Sequence, residues 1–138
     1  KSPMKIDHIA LWTRQLDPMR EFYERYFNGR SSPRYTNPRT GFQSYFVSFG
    51  DGARLELMQM EGMGANPNTA VAQHLGYIHL AMSVGGETAD GGEAAVDALT
   101  NRLRQDGYPV LGEPRRTGDG YYESVILDPD GNRIEITV

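Results

Sequence analysis

The chain states one short pattern twice, and this repeat limits its possible folds more than any other feature. Ile6-Asp7-His8-Ile9-Ala10-Leu11 is answered by Tyr77-Ile78-His79-Leu80-Ala81-Met82. Asp51-Gly52-Ala53-Arg54-Leu55-Glu56-Leu57 is answered, without a gap, by Asp130-Gly131-Asn132-Arg133-Ile134-Glu135-Ile136. His and Glu stand 48 residues apart in the first copy and 56 in the second. The extra length is assigned to the loop 85–92 and to a longer second helix. Self-similarity of this kind marks a duplicated supersecondary unit. Two modules are expected, about 4–60 and 77–138, with a linker over 61–76. Together they form one domain over 1–138, a length that suits a single core. A connection as long as 61–76 inside a small domain is often functional.

Each module reads as β-α-β-β-β, an α+β design. Residues 5–13 are rich in Ile, Leu and Trp and form a strand. Asp17-Pro18 then opens a helix, with Asp17 as N-cap and Pro in the first turn. Met19, Phe22, Tyr23, Tyr26 and Phe27 recur at three- and four-residue spacing, an apolar stripe. Glu21 and Arg25 are spaced to pair on the other side, and Gly29 closes the helix. Residues 31–36, flanked by prolines, form a short edge strand. Strands 42–49 and 54–60 are joined by Gly50-Asp51-Gly52, a hairpin signal. In the second module, 77–84 is a strand, and 93–106 is a helix with Val96, Leu99 and Leu103 on one stripe, closed by Gly107. Strands 121–127 and 133–138 are joined by Asp128-Pro129-Asp130-Gly131.

Side chains on a strand alternate faces. His8, Ala10 and Trp12 therefore share one face, with Ile9 and Leu11 on the other. His79, Ala81 and Ser83 stand opposite Ile78, Leu80 and Met82. Glu56 and Glu135 each face away from their aliphatic neighbours. The aliphatic faces suit a helix, so the two His and two Glu line the open, concave faces of the sheets. Two imidazoles and two carboxylates, in a chain with no cysteine, suit Zn, Ni, Co, Mn or Fe and argue against Cu(I) or iron–sulfur clusters. Four protein ligands on an octahedral ion leave two positions for adjacent oxygens of a substrate.

Composition removes other classes. Net charge is −4 and no basic run exceeds Arg115-Arg116, which opposes nucleic-acid binding. No apolar run reaches the roughly 20 residues of a membrane span, and the N-terminal residues lack a signal-peptide core. A cytoplasmic protein acting on a small molecule is expected.

Singly, these residues prove little. A strand Glu is usually solvated, and a lone strand His is usually structural. The weight comes from coincidence: of three His in the chain, two hold matching positions, and both matching Glu follow the same hairpin. Asp-Gly-x-Arg by itself is also good turn chemistry. His74 reads as a surface or lid residue of the linker. Met58, Met60 and Met63 line an apolar pocket or pack in the core. Trp12 stacks on a substrate or closes the barrel. Arg115 and Arg116 grip a carboxylate or phosphate, or belong to a solvated loop.

The pattern resembles the vicinal-oxygen-chelate superfamily, which includes glyoxalase I, methylmalonyl-CoA epimerase, extradiol dioxygenases and fosfomycin-resistance proteins. The carrying segments are Asp7-His8-Ile9-Ala10-Leu11, Phe22-Tyr23, Arg54-Leu55-Glu56-Leu57, His79-Leu80-Ala81-Met82-Ser83-Val84 and the run from Leu127 through Asp128-Pro129-Asp130-Gly131-Asn132-Arg133-Ile134 to Glu135. The resemblance implies paired βαβββ modules forming an open eight-stranded barrel around a metal. Among these types the His/Glu/His/Glu set is similar to glyoxalase I, where all four positions are ligands. That implies a metal-dependent lyase or isomerase in which an enediolate forms on the metal. It also implies Glu135 as principal base and Glu56 as its counterpart; on the reading of the residues themselves, Trp12, Arg115 and Met58 are the candidate substrate contacts. The chain departs from glyoxalase I at two places. Trp12 and Met60 stand where that enzyme carries the Arg and Asn that grip glutathione, so the substrate stays open.

Family members this short usually dimerise, which implies a homodimer with a site inside one chain or shared between two. Two alternatives stand beside the lyase or isomerase. One is a metal-free ligand-sequestering protein of the bleomycin-resistance type. The other is an Fe-dependent extradiol-type dioxygenase, which the fourth ligand Glu56 argues against.

Overall fold

The structure, a computed structural model, describes residues 2–85 and 92–138. The chain divides into two compact units, Lys1–Ala65 and Asn66–Val138. In each, one face of a helix is buried on one face of a sheet.

The first unit runs β1 (His8–Trp12), α1 (Leu16–Phe27), the short β2 (Arg30–Ser31) and β3 (Tyr35–Thr36), β4 (Gln43–Ser48) and β5 (Arg54–Gln59). Its strands lie in the order β1-β5-β4-β2, with β3 also paired to β4. β1 is parallel to β5, and the other pairs are antiparallel. The strand expected over 31–36 is thus two short pieces with Pro33 between them, as proline's missing N–H dictates. The second unit runs β6 (His79–Ser83), α2 (Glu93–Gln105), β7 (Val110–Arg116), β8 (Tyr122–Leu127) and β9 (Arg133–Thr137), ordered β6-β9-β8-β7. β6 is parallel to β9. The α+β class and the duplicated βαβββ plan are as expected.

The core of the first unit sets Leu16, Met19, Phe22, Tyr23, Tyr26 and Phe27 of α1 against Tyr45, Val47, Leu55 and Leu57 of the sheet. The α1 stripe is therefore the one expected, although its ends differ. The helix begins at Leu16 with Gln15 as N-cap, so Asp17 lies in the first turn and is not the cap. Its carboxylate is engaged elsewhere, by the Tyr45 hydroxyl at 2.8 Å and Arg34 at 2.5 Å. At the other end the left-handed residue is Asn28 (φ 55°), not Gly29. Gly29 is needed for space: a Cβ there would lie 2.5 Å from a Val47 methyl.

The second core packs Val96, Thr100 and Leu103 of α2 on Ile126, Ile134 and Ile136. The expected stripe named Leu99, but the fully buried residue is Thr100. Its hydroxyl donates to the Val96 carbonyl (2.7 Å) and meets the Ser124 hydroxyl (2.7 Å), so the buried polar pair is satisfied. Gly107 (φ 93°) closes α2 as expected, with Tyr108 N–H on the Leu103 carbonyl and Gly107 N–H on that of Arg104.

β7 is the element that the sequence reading left unplaced. It moves Arg115 and Arg116 from the expected loop onto a strand. The extra length assigned to 85–92 falls mostly on 86–91, outside the described residues. Among the described residues, no helix is long and apolar enough to cross a membrane.

Candidate metal centre

Register places the two repeats identically within their own sheets. On β1 and β5, His8 is opposite Arg54, Ala10 opposite Glu56 and Trp12 opposite Met58. On β6 and β9, His79 is opposite Arg133 and Ala81 opposite Glu135. Residues paired across strands share a face, so each sheet presents a His and, diagonally from it, a Glu, with an alanine leaving room between. The opposite faces of β5 and β9 carry the buried Leu55, Leu57, Ile134 and Ile136.

The side-chain geometry repeats as well. His8 Nε2 is 3.6 Å from Glu56 Oε1, and His79 Nε2 is 3.3 Å from Glu135 Oε1. Both imidazoles are 39% exposed, while the carboxylates are 17% and 22% exposed. The 3.3 Å gap of the second pair suits two ligands of one ion, and the 3.6 Å gap of the first is slightly wider than such a pair. Donors about 2.1 Å from a shared metal stand roughly 3.0–3.4 Å apart at octahedral to tetrahedral angles. The donor types fit a borderline divalent metal, so the residues present suit the expected ion. Each unit contributes one such pair. Among the described residues, no cluster of three or more His, Cys, Asp or Glu set to hold a metal is found.

The surroundings of the two pairs differ. In the first unit the His8 ring meets Phe46 edge to face, with centroids 5.3 Å apart, and Arg54 lies 4.4 Å over the same Phe46 ring. Asp7 accepts from His8 Nδ1 and from Arg54 Nη2, both at 2.7 Å. Those two partners hold its carboxyl below the usual range, His8 first. In the second unit, Glu135 has a carboxyl neighbour, Glu123 of β8. Burial pushes the Glu123 carboxyl up, and the hydrogen bond and charge of Glu135 push the same way. Arg115 is opposite Glu123 across β7 and β8. The sequence reading missed both Asp7 and Glu123. Strand parity was the available signal for Glu123, which alternates with the inward Ser124 and Ile126.

Trp12 is 41% exposed and stacks edge to face on Phe42 at 6.0 Å. Met58 lies beside it by register, partly buried. A cleft of about 670 Å³ at the far end of β4 and β5 is lined by Arg14, Gln43, Gln59, Met60 and Met63, among others. Met60 and Met63 thus line a pocket as one of their two readings held, whereas Met58 is not among the lining residues. Arg14 donates to the Met63 carbonyl at 2.6 Å. Arg116 is taken up by Glu93 and the Gly120 carbonyl. The His74 residue is exposed, with its backbone N–H on Asn68.

Comparison with known proteins adds to this geometry. The profile of the Glyoxalase/Bleomycin resistance protein/Dioxygenase superfamily matches residues 5–136. No curated protein matches the sequence. Among solved structures, a glyoxalase family protein from Bacillus cereus superposes with TM-score 0.77 at 20% identity, over 99% of this chain and 95% of that one. The trypanothione-dependent glyoxalase I of Leishmania major gives 0.71 at 20%, over 98% and 86%. A fosfomycin resistance protein from Mesorhizobium loti gives 0.70 at 19%, over 99% and 92%. At such identities the likeness is one of fold.

Proposed function

The chain belongs to the Glyoxalase/Bleomycin resistance protein/Dioxygenase superfamily, and we propose that within it this protein is a divalent-metal-dependent lyase or isomerase. Its substrate is a small molecule with adjacent oxygens, and its reaction moves a proton between neighbouring carbons. The observation that carries this is the His–Glu pair set at the same register in both units, with gaps of 3.6 and 3.3 Å.

His8, Glu56, His79 and Glu135 would hold one Zn, Ni, Co, Mn or Fe ion. When bound, such an ion supplies Lewis-acid stabilisation of negative charge developing on the substrate. The proton is moved by a carboxylate. Glu135 is the principal base and Glu56 its counterpart, both mostly shielded from water on their sheet faces. Trp12 and Met58 offer an apolar wall to the substrate, and Arg115 a cation for an anionic group. The fourth donor Glu56 favours proton transfer over the dioxygenase chemistry of other members of the superfamily. A homodimer is part of the proposal, as is a cytoplasmic place of action.

Elemental analysis of the purified protein tests the core of this reading. About one metal per chain is expected in wild type, with loss in His79→Ala and in Glu135→Ala. Proton-exchange assays with hemithioacetals of methylglyoxal would follow on the loaded protein. A wild type that stays metal-free after reloading sinks the proposal and leaves a ligand-sequestering protein.

A further inference from the structure

We propose that Asp7 is a positioning residue: its carboxylate takes the Nδ1 proton of His8 and so fixes the imidazole with Nε2 open towards Glu56. The value of this to a metal rests on the reading of His8 as a ligand, while the tautomer itself does not.

A carboxylate at neutral pH only accepts. The 2.7 Å contact between Asp7 Oδ2 and His8 Nδ1 therefore requires the proton on Nδ1. Arg54 donates to the same Oδ2, also at 2.7 Å, and holds the carboxylate in place. Arg54 is itself located by register opposite His8 and by its seat over Phe46. The ring is thus held at its edge by Phe46 and at Nδ1 by Asp7. In the neutral ring the second nitrogen then carries a lone pair. It faces Glu56 Oε1 at 3.6 Å, beyond hydrogen-bond reach. Two electron-rich atoms aimed at one another without a proton between them are a poor arrangement for an apo protein and a good one for a cation.

Among the described residues, the second unit shows no such partner for His79. The residue before His79 is Ile78, whose side chain has no acceptor. Arg133, the counterpart of Arg54, is buried and its Nη2 points to the Ala70 carbonyl at 3.4 Å. The two histidines are therefore unequal, and His79 is an internal control.

Nitrogen-15 NMR of the metal-free protein reads the tautomer directly. Wild type is expected to show His8 protonated at Nδ1. Asp7→Ala is expected to move His8 to the Nε2–H form, Asp7→Asn to retain the wild-type form through its amide oxygen, and His79 to stay unchanged in both. Asp7 is 67% exposed, so these variants should fold. Zinc affinity by competition titration should fall roughly 10-fold in Asp7→Ala, the low end for a ligand's supporting partner given that exposure, and be largely restored in Asp7→Asn. His8 protonated at Nε2 in wild type, or a tautomer indifferent to Asp7→Ala, overturns the inference. A tautomer that shifts as expected in a protein that binds no metal leaves the inference standing and removes the proposed function instead.

Discussion

At the scale of single residues, what the sequence does not disclose is which partner claims a given side chain. Asp17 has the right chemistry and place for an N-cap, yet Tyr45 and Arg34 take its carboxylate. Those partners come from across the fold, and no local rule finds them. Asp7 is similar: its tie to Arg54 depends on the β1–β5 register. The proposed ligands His8, Glu56, His79 and Glu135 stand out because the repeat writes the same His and the same Glu twice. Asp17 also carries a pH dependence. Arg34 first, then Tyr45, lower its carboxyl below the ordinary 3.8. A depressed folded-state value means stability that is present above about 3.8 and lost as pH falls through the folded value. Asp17→Asn should therefore cost up to about 1 kcal/mol at neutral pH, a modest figure because Asp17 is half exposed. The difference from wild type should shrink as pH falls below 3.8 and through the folded-state value in urea titrations. A gap that persists at low pH would point to lost packing instead.

Among elements, legibility followed periodicity. α1 and the four strands flanking the two hairpins show clean alternation or stripes, and they were located to within a few residues. β7 shows neither. Its run Val110-Leu111-Gly112-Glu113-Pro114-Arg115 carries a Gly and a Pro, and its pairing to β8 is irregular at two points. It survives as a strand because it is one of the two edge strands of its sheet, where a missing N–H and a bulge are tolerated. The β8–β9 turn, by contrast, is over-determined. Asp128 is buried, and its carboxylate accepts the backbone N–H groups of Asp130 and Asn132 and the Asn132 amide, each at 2.9 Å. Asp128→Ala leaves those donors short of partners and should cost about 3 kcal/mol, seen as a lower urea midpoint at unchanged slope. Asp128→Asn keeps an acceptor and should recover about half. Glu135 follows this turn, so metal content in Asp128→Ala should fall together with stability.

For the molecule as a whole, the proposed ligand set takes residues from both units. An ion held by that set would stabilise both. At a metal concentration 100 times Kd the gain is about 2.7 kcal/mol, or roughly 8 °C in Tm for a chain of this length, and a chelator should reverse it. His8→Ala and His79→Ala should each abolish the shift while leaving the metal-free Tm near that of wild type. If only one of the two does so, the ion belongs to one unit and the four-residue centre is wrong.

One feature of the sheets bears on how such a centre would behave. In both units the glutamate stands on an inner strand, β5 or β9, and the histidine on a marginal one, β1 or β6. Inner strands are gripped from two sides and marginal ones from one. The carboxylates are thereby fixed points and the imidazoles adjustable ones. A cation of unfamiliar radius would be met by a small swing of the outer strands, with the inner ladder and the packed helices left undisturbed. Duplication gave the molecule two copies of the same half-rigid jaw, and Asp7 stiffens only one of them.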